Sequence, residues 1–144
     1  NRMDLWHLNE KTLKKATQEM PNSILKEQAD LLYDKTGGTI YGRVTNIKFQ
    51  PQDKGVGYNL ATAFEIVAPN LDNYNYTLLD VYSRPEKDYP VAITVGSNIV
   101  DDAEVFVPKY ECANKEEFVQ ALKEILSSEE VNKDIGILYS KSNV

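Results

Sequence analysis

The acidic stretch at 101–104 is the densest group of side chains that could hold a metal ion or perform acid–base chemistry. In an extended segment Asp102 and Glu104 project to the same side, where they could share a hard cation with Asp80 or Asp88. The stretch lacks the complete pattern of a calcium loop, and aspartates are common at turns that precede strands. Asp80, Asp102 and Glu104 therefore support an alternative hypothesis, an enzyme or a small-ligand or metal-binding domain. The leading hypothesis assigns no cofactor and no metal.

Cys112 and His7 are the only cysteine and the only histidine of the chain. A nucleophilic pair would require the fold to bring them together across most of the chain, and the two residues cannot form a zinc site of the His/Cys type within a single chain. We expect Cys112 to be a buried, inert thiol. A single cysteine also fits a reducing compartment, so the expected location is the cytoplasm.

The glycine-rich stretches do not form a phosphate-binding loop. No Lys-Ser/Thr pair follows Gly37-Gly38, and Gly55-Val56-Gly57 lacks a third glycine that opens a helix. The formal net charge of −6 disfavours nucleic-acid binding, which needs a broad basic surface. No apolar run approaches the ~20 residues of a membrane span. Neither a nucleic acid nor a membrane is therefore expected as a partner.

Tyrosines and acidic residues are concentrated in residues 51–113. This block holds ten Asp/Glu against four Lys/Arg, together with six of the nine tyrosines. Tyrosine supplies a large contact area at low conformational cost, and acidic groups attract basic partners. Residues 70–76 alternate tyrosine with asparagine and aspartate, a mixture that is typical of binding loops. The predicted binding residues are Tyr58, Asp72, Tyr74, Tyr76 and Tyr82.

Helical periodicity frames this middle block on both sides. Apolar residues recur at helical spacing before Gly37-Gly38 and again after Asn114, and the glycine pair supplies the left-handed conformation that ends a helix. Loosely helical spacing over 4–19 predicts a first helix that begins after Asn9. Further helices are predicted at 24–36 and at 115–127, with a last helix or strand after 128. Their predicted N-caps are Asn9, Ser23, Asn114 and Ser128.

Between the helices the hydrophobic period changes to two. Ile40 and Val44 fall on one face of the first strand and Ile47 on the other, which predicts a bulge or a twist near Thr45-Asn46. The strands are predicted at about 39–49, 58–68, 75–83, 89–96 and 103–107, with an exposed loop at 50–57. No connection is long enough for a crossover helix, so the pattern favours an antiparallel meander.

This order of elements predicts an α+β fold. We expect an antiparallel sheet of about five strands, preceded by two helices and followed by one or two helices packed on one face. The 144 residues correspond to one domain, in which residues 1–20 form a loosely attached helix. The frequent use of lysine, asparagine, isoleucine and tyrosine is compatible with an A/T-rich bacterial or phage genome.

The leading functional hypothesis is a small, soluble, non-enzymatic binding or regulatory protein. It would contact a protein partner through the loops at 50–57 and 70–76 and through the acidic, tyrosine-rich sheet face that the helices leave open. Tyr76, Tyr82 or their neighbours are expected on that face. A third hypothesis, beside the enzyme or ligand-binding domain, is a structural subunit that forms a homo-oligomer through an edge strand or the open face.

Overall fold

The computed structural model describes residues 2–17, 20–48, 57–96 and 107–144. These residues form an α+β fold, in which two helices precede and two follow a five-stranded antiparallel sheet, as the sequence predicts. The elements are α1 (Glu10–Thr17), α2 (Pro21–Lys35), β1 (Tyr41–Ile47), β2 (Leu60–Ala68), β3 (Tyr74–Arg84), β4 (Lys87–Val95), β5 (Tyr110–Cys112), α3 (Lys115–Leu126) and α4 (Glu129–Ser142). Within the described ranges, none of the helices has the length and apolar character needed to cross a bilayer.

Three of the four predicted N-caps are confirmed. The side-chain oxygens of Asn9, Asn114 and Ser128 each accept a hydrogen bond from the backbone N–H three residues later. The prediction for Ser23 is wrong, because α2 already begins at Pro21. Proline is favoured at the first helical position, where its fixed φ suits the helix and its missing N–H leaves no donor unpaired.

The sheet is a simple meander in the order β1-β2-β3-β4-β5. The bulge predicted near Thr45-Asn46 is absent, since β1 and β2 pair without interruption from Tyr41–Val67 to Ile47–Ala61. Ile47 simply lies on the face opposite Val44, as alternation requires. The predicted strand at 103–107, apart from Val107, and the predicted loop at 50–57, apart from Gly57, lie outside the described residues.

An irregularity between β2 and β3 decides which side chains share a face. Phe64 pairs with Leu79 and Glu65 with Thr77, so Leu78 is an additional residue on β3. Leu78 and Leu79 are both buried in the core under the helices. An extra residue reverses the alternation of side chains along a strand.

The reversal places Tyr74 and Tyr76 on the helix side of the sheet, and Asp80 and Tyr82 on the opposite face. Of the two tyrosines expected on the face opposite the helices, Tyr82 lies there and Tyr76 does not. The reason is the bulge at Leu78, which shifts every β3 side chain before it to the other face relative to strict alternation.

The main hydrophobic core lies between the sheet and helices α2, α3 and α4. Helix α2 packs against the β1 end of the sheet and α3 against the β5 end. The most deeply buried members of this core include Leu25, Ile40, Phe64, Ile66, Leu79, Ile93 and Phe118. Helix α1, in contrast, contains no buried residue.

Candidate functional site

A pocket on the helix side of the sheet combines acidic groups with aromatic rings. It lies between the ends of β3, β4 and β5 and the junction of α3 with α4, and has a volume of about 420 Å³. A neighbouring cavity of about 240 Å³ shares Tyr76 and Asp134 with it and is also lined by Tyr74. We call the combined site the acidic tyrosine pocket and define it by Tyr74, Tyr76, Tyr110, Glu124, Glu130 and Asp134.

Local structure explains how these side chains meet. Tyr74 and Tyr76 are two residues apart on β3 and therefore project to the same face, with their ring centroids 6.3 Å apart. Ser128 caps α4 at its N-terminus. Glu130 and Asp134 lie four residues apart in this helix, so they share one of its faces. Glu124 comes from the last turn of α3. The pocket is thus assembled from strands and helices that are far apart in the sequence.

The Tyr76 hydroxyl is the most unusual group in the pocket. It is buried, and no described residue forms a hydrogen bond with it. Burial raises the pKa of Tyr76 to about 12, with smaller contributions from the nearby Asp134, Tyr74 and Glu130. The hydroxyl is therefore protonated at neutral pH, and it can both donate and accept a hydrogen bond from a group that enters the pocket.

The ring of Tyr110 already has a cation above it. The Nζ atom of Lys109 lies 6.0 Å from the centre of the Tyr110 ring, a distance suited to a cation–π interaction. Burial, followed by the neighbouring Glu124 carboxylate, raises the pKa of Tyr110. Among the described residues, the pocket lining contains three carboxylates and one lysine, Lys109. Its chemistry therefore suits an ammonium or guanidinium group from outside.

The other predicted binding residues lie elsewhere. Asp72 is exposed in the turn before β3, where it and Asn73 adopt the left-handed conformation with φ of 56° and 57°. Tyr58 and Tyr82 are buried in a small cluster with Ala61 and Ala92, on the face of the sheet opposite the main hydrophobic core. The sheet therefore separates Tyr58 and Tyr82 from Tyr74 and Tyr76.

Asp80 lies on the central strand β3, on the same face of the sheet as Tyr82, and only 6% of its surface is exposed. Its cross-strand neighbours are Ala63 and Thr94, and its Oδ1 atom forms no hydrogen bond with any residue in the described ranges. Burial, with a smaller contribution from Glu65, raises the pKa of Asp80 to about 6. Asp102 and Glu104, its proposed partners in a metal site, lie outside the described residues. Among the residues that are described, no group of three potential ligands is positioned to hold a metal ion.

Cys112 is buried on β5 beneath the helices and is not in a disulfide. Burial, followed by the charge of Glu117, raises the pKa of Cys112 to about 11. The thiolate is the nucleophilic form of cysteine, so this thiol is unreactive at neutral pH. His7 lies exposed in the stretch before α1.

The sequence interpretation missed the part of the pocket that lies outside residues 51–76. Tyr110 comes from β5, and the carboxylates of Glu124, Glu130 and Asp134 come from the two C-terminal helices. The acidic pair at i, i+4 in α4 is visible in the sequence, but nothing local indicates that it lies over Tyr76. Comparison of the chain with protein-family models, with curated proteins and with solved structures found no match.

Proposed function

We propose that this protein is a non-enzymatic binding protein that takes a lysine or arginine side chain of a basic partner protein into the acidic tyrosine pocket. The observation that best supports this function is the buried Tyr76 hydroxyl, which lies near Asp134 and Glu130 and has no hydrogen-bond partner among the residues that the structure describes. Buried polar groups in proteins are nearly always paired, so an exception of this kind needs an explanation. A bound ammonium or guanidinium group would supply the missing partner.

The pocket offers three kinds of interaction to a cation. Carboxylates attract it over a distance, tyrosine ring faces stabilise it through their quadrupoles, and the Tyr76 oxygen accepts one of its N–H groups. Asp134, Tyr76 and Tyr110 are partly buried, which strengthens their interactions relative to those on an open surface. A hydroxyl with a pKa of about 12 is a poor base and nucleophile at neutral pH, so these groups suit binding better than bond cleavage. The free thiol of Cys112 suits a cytoplasmic location, which we include in the proposal.

Neutralising two carboxylates of the pocket is expected to weaken the binding of a basic peptide. The variant Glu130→Gln/Asp134→Asn should bind a short peptide of lysine and serine about tenfold more weakly than the wild type, which corresponds to about 1.4 kcal/mol. Isothermal titration calorimetry at low ionic strength measures this difference. The matched control is Asp30→Asn/Asp34→Asn, which makes the same change in net charge at exposed sites on α2. Equal losses in both variants would mean nonspecific attraction and would refute the assignment of the pocket.

Removing the Tyr76 hydroxyl is expected to change stability and binding in opposite directions. Tyr76→Phe should increase the free energy of unfolding by about 1 kcal/mol, because a buried group without a partner is removed. The same variant should bind the lysine peptide more weakly, since the acceptor for its ammonium group is lost. Urea unfolding and calorimetry test the two effects, with Tyr139→Phe on the exposed side of α4 as the control. A destabilised Tyr76→Phe variant with unchanged peptide affinity would contradict the role of this hydroxyl.

A further inference from the structure

The N-terminal segment, residues 2–17, exposes an unusual amount of apolar surface. Met3, Leu5 and Trp6 are 83%, 84% and 78% exposed, and Leu8 and Leu13 are more than half exposed. Helix α1 within this segment buries none of its residues. Large apolar side chains that are concentrated in this way on a protein surface mark an interaction site.

The N-terminal segment also has the opposite charge to the rest of the protein. It contains four basic and two acidic residues and therefore has a net charge of +2. The rest of the chain has a net charge of −8, and the two together give the formal −6. Lys11 and Lys15 are one helical turn apart and share a face of α1, and Leu13 lies on a different face. The segment therefore offers cations and apolar side chains together.

The acidic tyrosine pocket complements both properties. Its carboxylates have the opposite charge to Lys11 and Lys15, and exposed apolar side chains lie beside them. Val95 and Ile137, in the lining of the two cavities, are 42% and 44% exposed, and Tyr74 is 50% exposed. A peptide that carries both lysine and large apolar residues thus finds a matching group for each.

We infer that the N-terminal segment of one copy of this protein occupies the acidic tyrosine pocket of a second copy. The inference rests on the proposed function and names the basic partner of that site. Lys11 or Lys15 supplies the cation for the carboxylates and the Tyr76 hydroxyl, and the apolar side chains of the segment pack against Val95, Ile137 and Tyr74. If two copies exchange their segments, each pocket is filled and the assembly closes as a dimer with twofold symmetry.

Charge argues against the groove between α2 and α3 as the docking site for this segment. A cavity of about 550 Å³ between α2 and α3 is lined by apolar residues such as Ile24 and Val119. Its charged lining residues are Glu27, Lys115 and Lys123, which give it a net positive charge. A basic segment is repelled there and attracted to the acidic tyrosine pocket.

The single tryptophan of the chain reports directly on this contact. Trp6 lies in the N-terminal segment and is the one tryptophan of these 144 residues, so the tryptophan emission of this chain reports on that segment. As the protein concentration rises, we expect the emission to shift to shorter wavelength while the mass from sedimentation doubles. Added salt should reverse both changes, because the contact depends on opposite charges. A shifted emission in a monomer at every concentration would place the segment on its own chain and overturn the inference.

A charge exchange between two variants identifies the surfaces. Lys11→Glu/Lys15→Glu leaves the exposed Glu10–Lys14 ion pair in place and should remain monomeric, as should Glu130→Lys/Asp134→Lys. Each variant alone brings like charges together, whereas an equal mixture of the two pairs opposite charges at both contacts. We expect the mixture to regain the dimer mass and the shifted Trp6 emission. Dimerisation of either variant alone, or failure of the mixture to associate, would overturn the inference.

The proposed function is tested separately on the same material. The Lys11→Glu/Lys15→Glu variant keeps its pocket, so the lysine peptide should bind to it, and bind more tightly than to the dimer in which the pocket is filled. If the wild type is monomeric and both proteins bind the peptide equally, the proposed function stands and the dimer inference fails. If neither protein binds the peptide, the proposed function itself fails.

Discussion

Replacing Asp80 by asparagine is expected to increase the free energy of unfolding by about 2 kcal/mol near pH 8. Asp80 is buried and the pKa of its carboxyl is raised from 3.8 to about 6, so the protein at this pH carries a charge that burial disfavours. One pKa unit corresponds to about 1.4 kcal/mol, which gives an upper limit of about 3 kcal/mol. The amide that replaces the carboxylate is still polar and buried, and this reduces the gain.

The pH dependence of stability has a definite sign at this position. The folded protein takes up a proton at Asp80 near pH 6, whereas the unfolded chain does so near 3.8, so the folded state binds more protons between these values. The contribution of Asp80 to stability is fully present below 3.8 and is lost as the pH rises through about 6. Asp80→Asn lacks this contribution, so its advantage over the wild type should be larger near pH 8 than near pH 5.

Urea unfolding of the wild type, Asp80→Asn and the control Asp72→Asn at these two pH values measures the effect. Asp72 lies exposed in the turn before β3, so its substitution should leave stability within about 0.5 kcal/mol of the wild type. An Asp80→Asn variant that is less stable than the wild type near pH 8 would show that the carboxylate makes a favourable contact in its charged form.

Gly42→Ala is expected to decrease the free energy of unfolding by about 2–3 kcal/mol, within the range for overpacked cores. A Cβ atom at Gly42 would lie 2.8 Å from the Cα and Cβ atoms of Ala29 and 3.0 Å from Cζ of Phe64. Two of these contacts involve α2 itself, so the whole helix must move away from β1 to accommodate one methyl group. That movement would also loosen the packing of Leu25, which is fully buried on the same helix.

The same substitution at a second glycine supplies the control. Gly136 lies inside α4, and a Cβ atom there would meet nothing within 4 Å. Gly136→Ala should increase the free energy of unfolding by about 1 kcal/mol, because alanine is the better helix former. The two variants therefore differ in sign although the chemical change is identical. Chemical unfolding of both variants tests this contrast, and a Gly42→Ala variant as stable as the wild type would mean that α2 does not approach β1 so closely.

The sequence predicts the helices well where their signals are local. Phe118, Leu122 and Ile125 follow a helical stripe, and all three are buried in the core. Asn114 and Ser128 stand immediately before the helices that they cap, so a short stretch of sequence contains both the cap and its target. Such elements depend on neighbours within one or two turns, which is why the class of the fold and the order of its elements were predictable.

The faces of β3 were not predictable, since they depend on its partner in the sheet. Leu78 and Leu79 are both apolar, so the sequence does not show which of them interrupts the alternation; pairing with Phe64 and Glu65 decides it. The pocket was not predictable for a similar reason, because Tyr76 and Asp134 come together only when α4 packs on the sheet. Composition singled out tyrosines and carboxylates as residue types, but it does not show which of them lie together.

The strand order has a consequence for how the chain folds. In the described part of the chain, each strand pairs with the strand that follows it in the sequence, so the sheet can grow one strand pair at a time. Closing each hairpin costs little chain entropy, and topologies with such local pairings fold faster than those in which distant strands must find each other. The helices at the two ends of the chain can then condense onto a sheet face that already exists, α2 beside β1 and α3 beside β5.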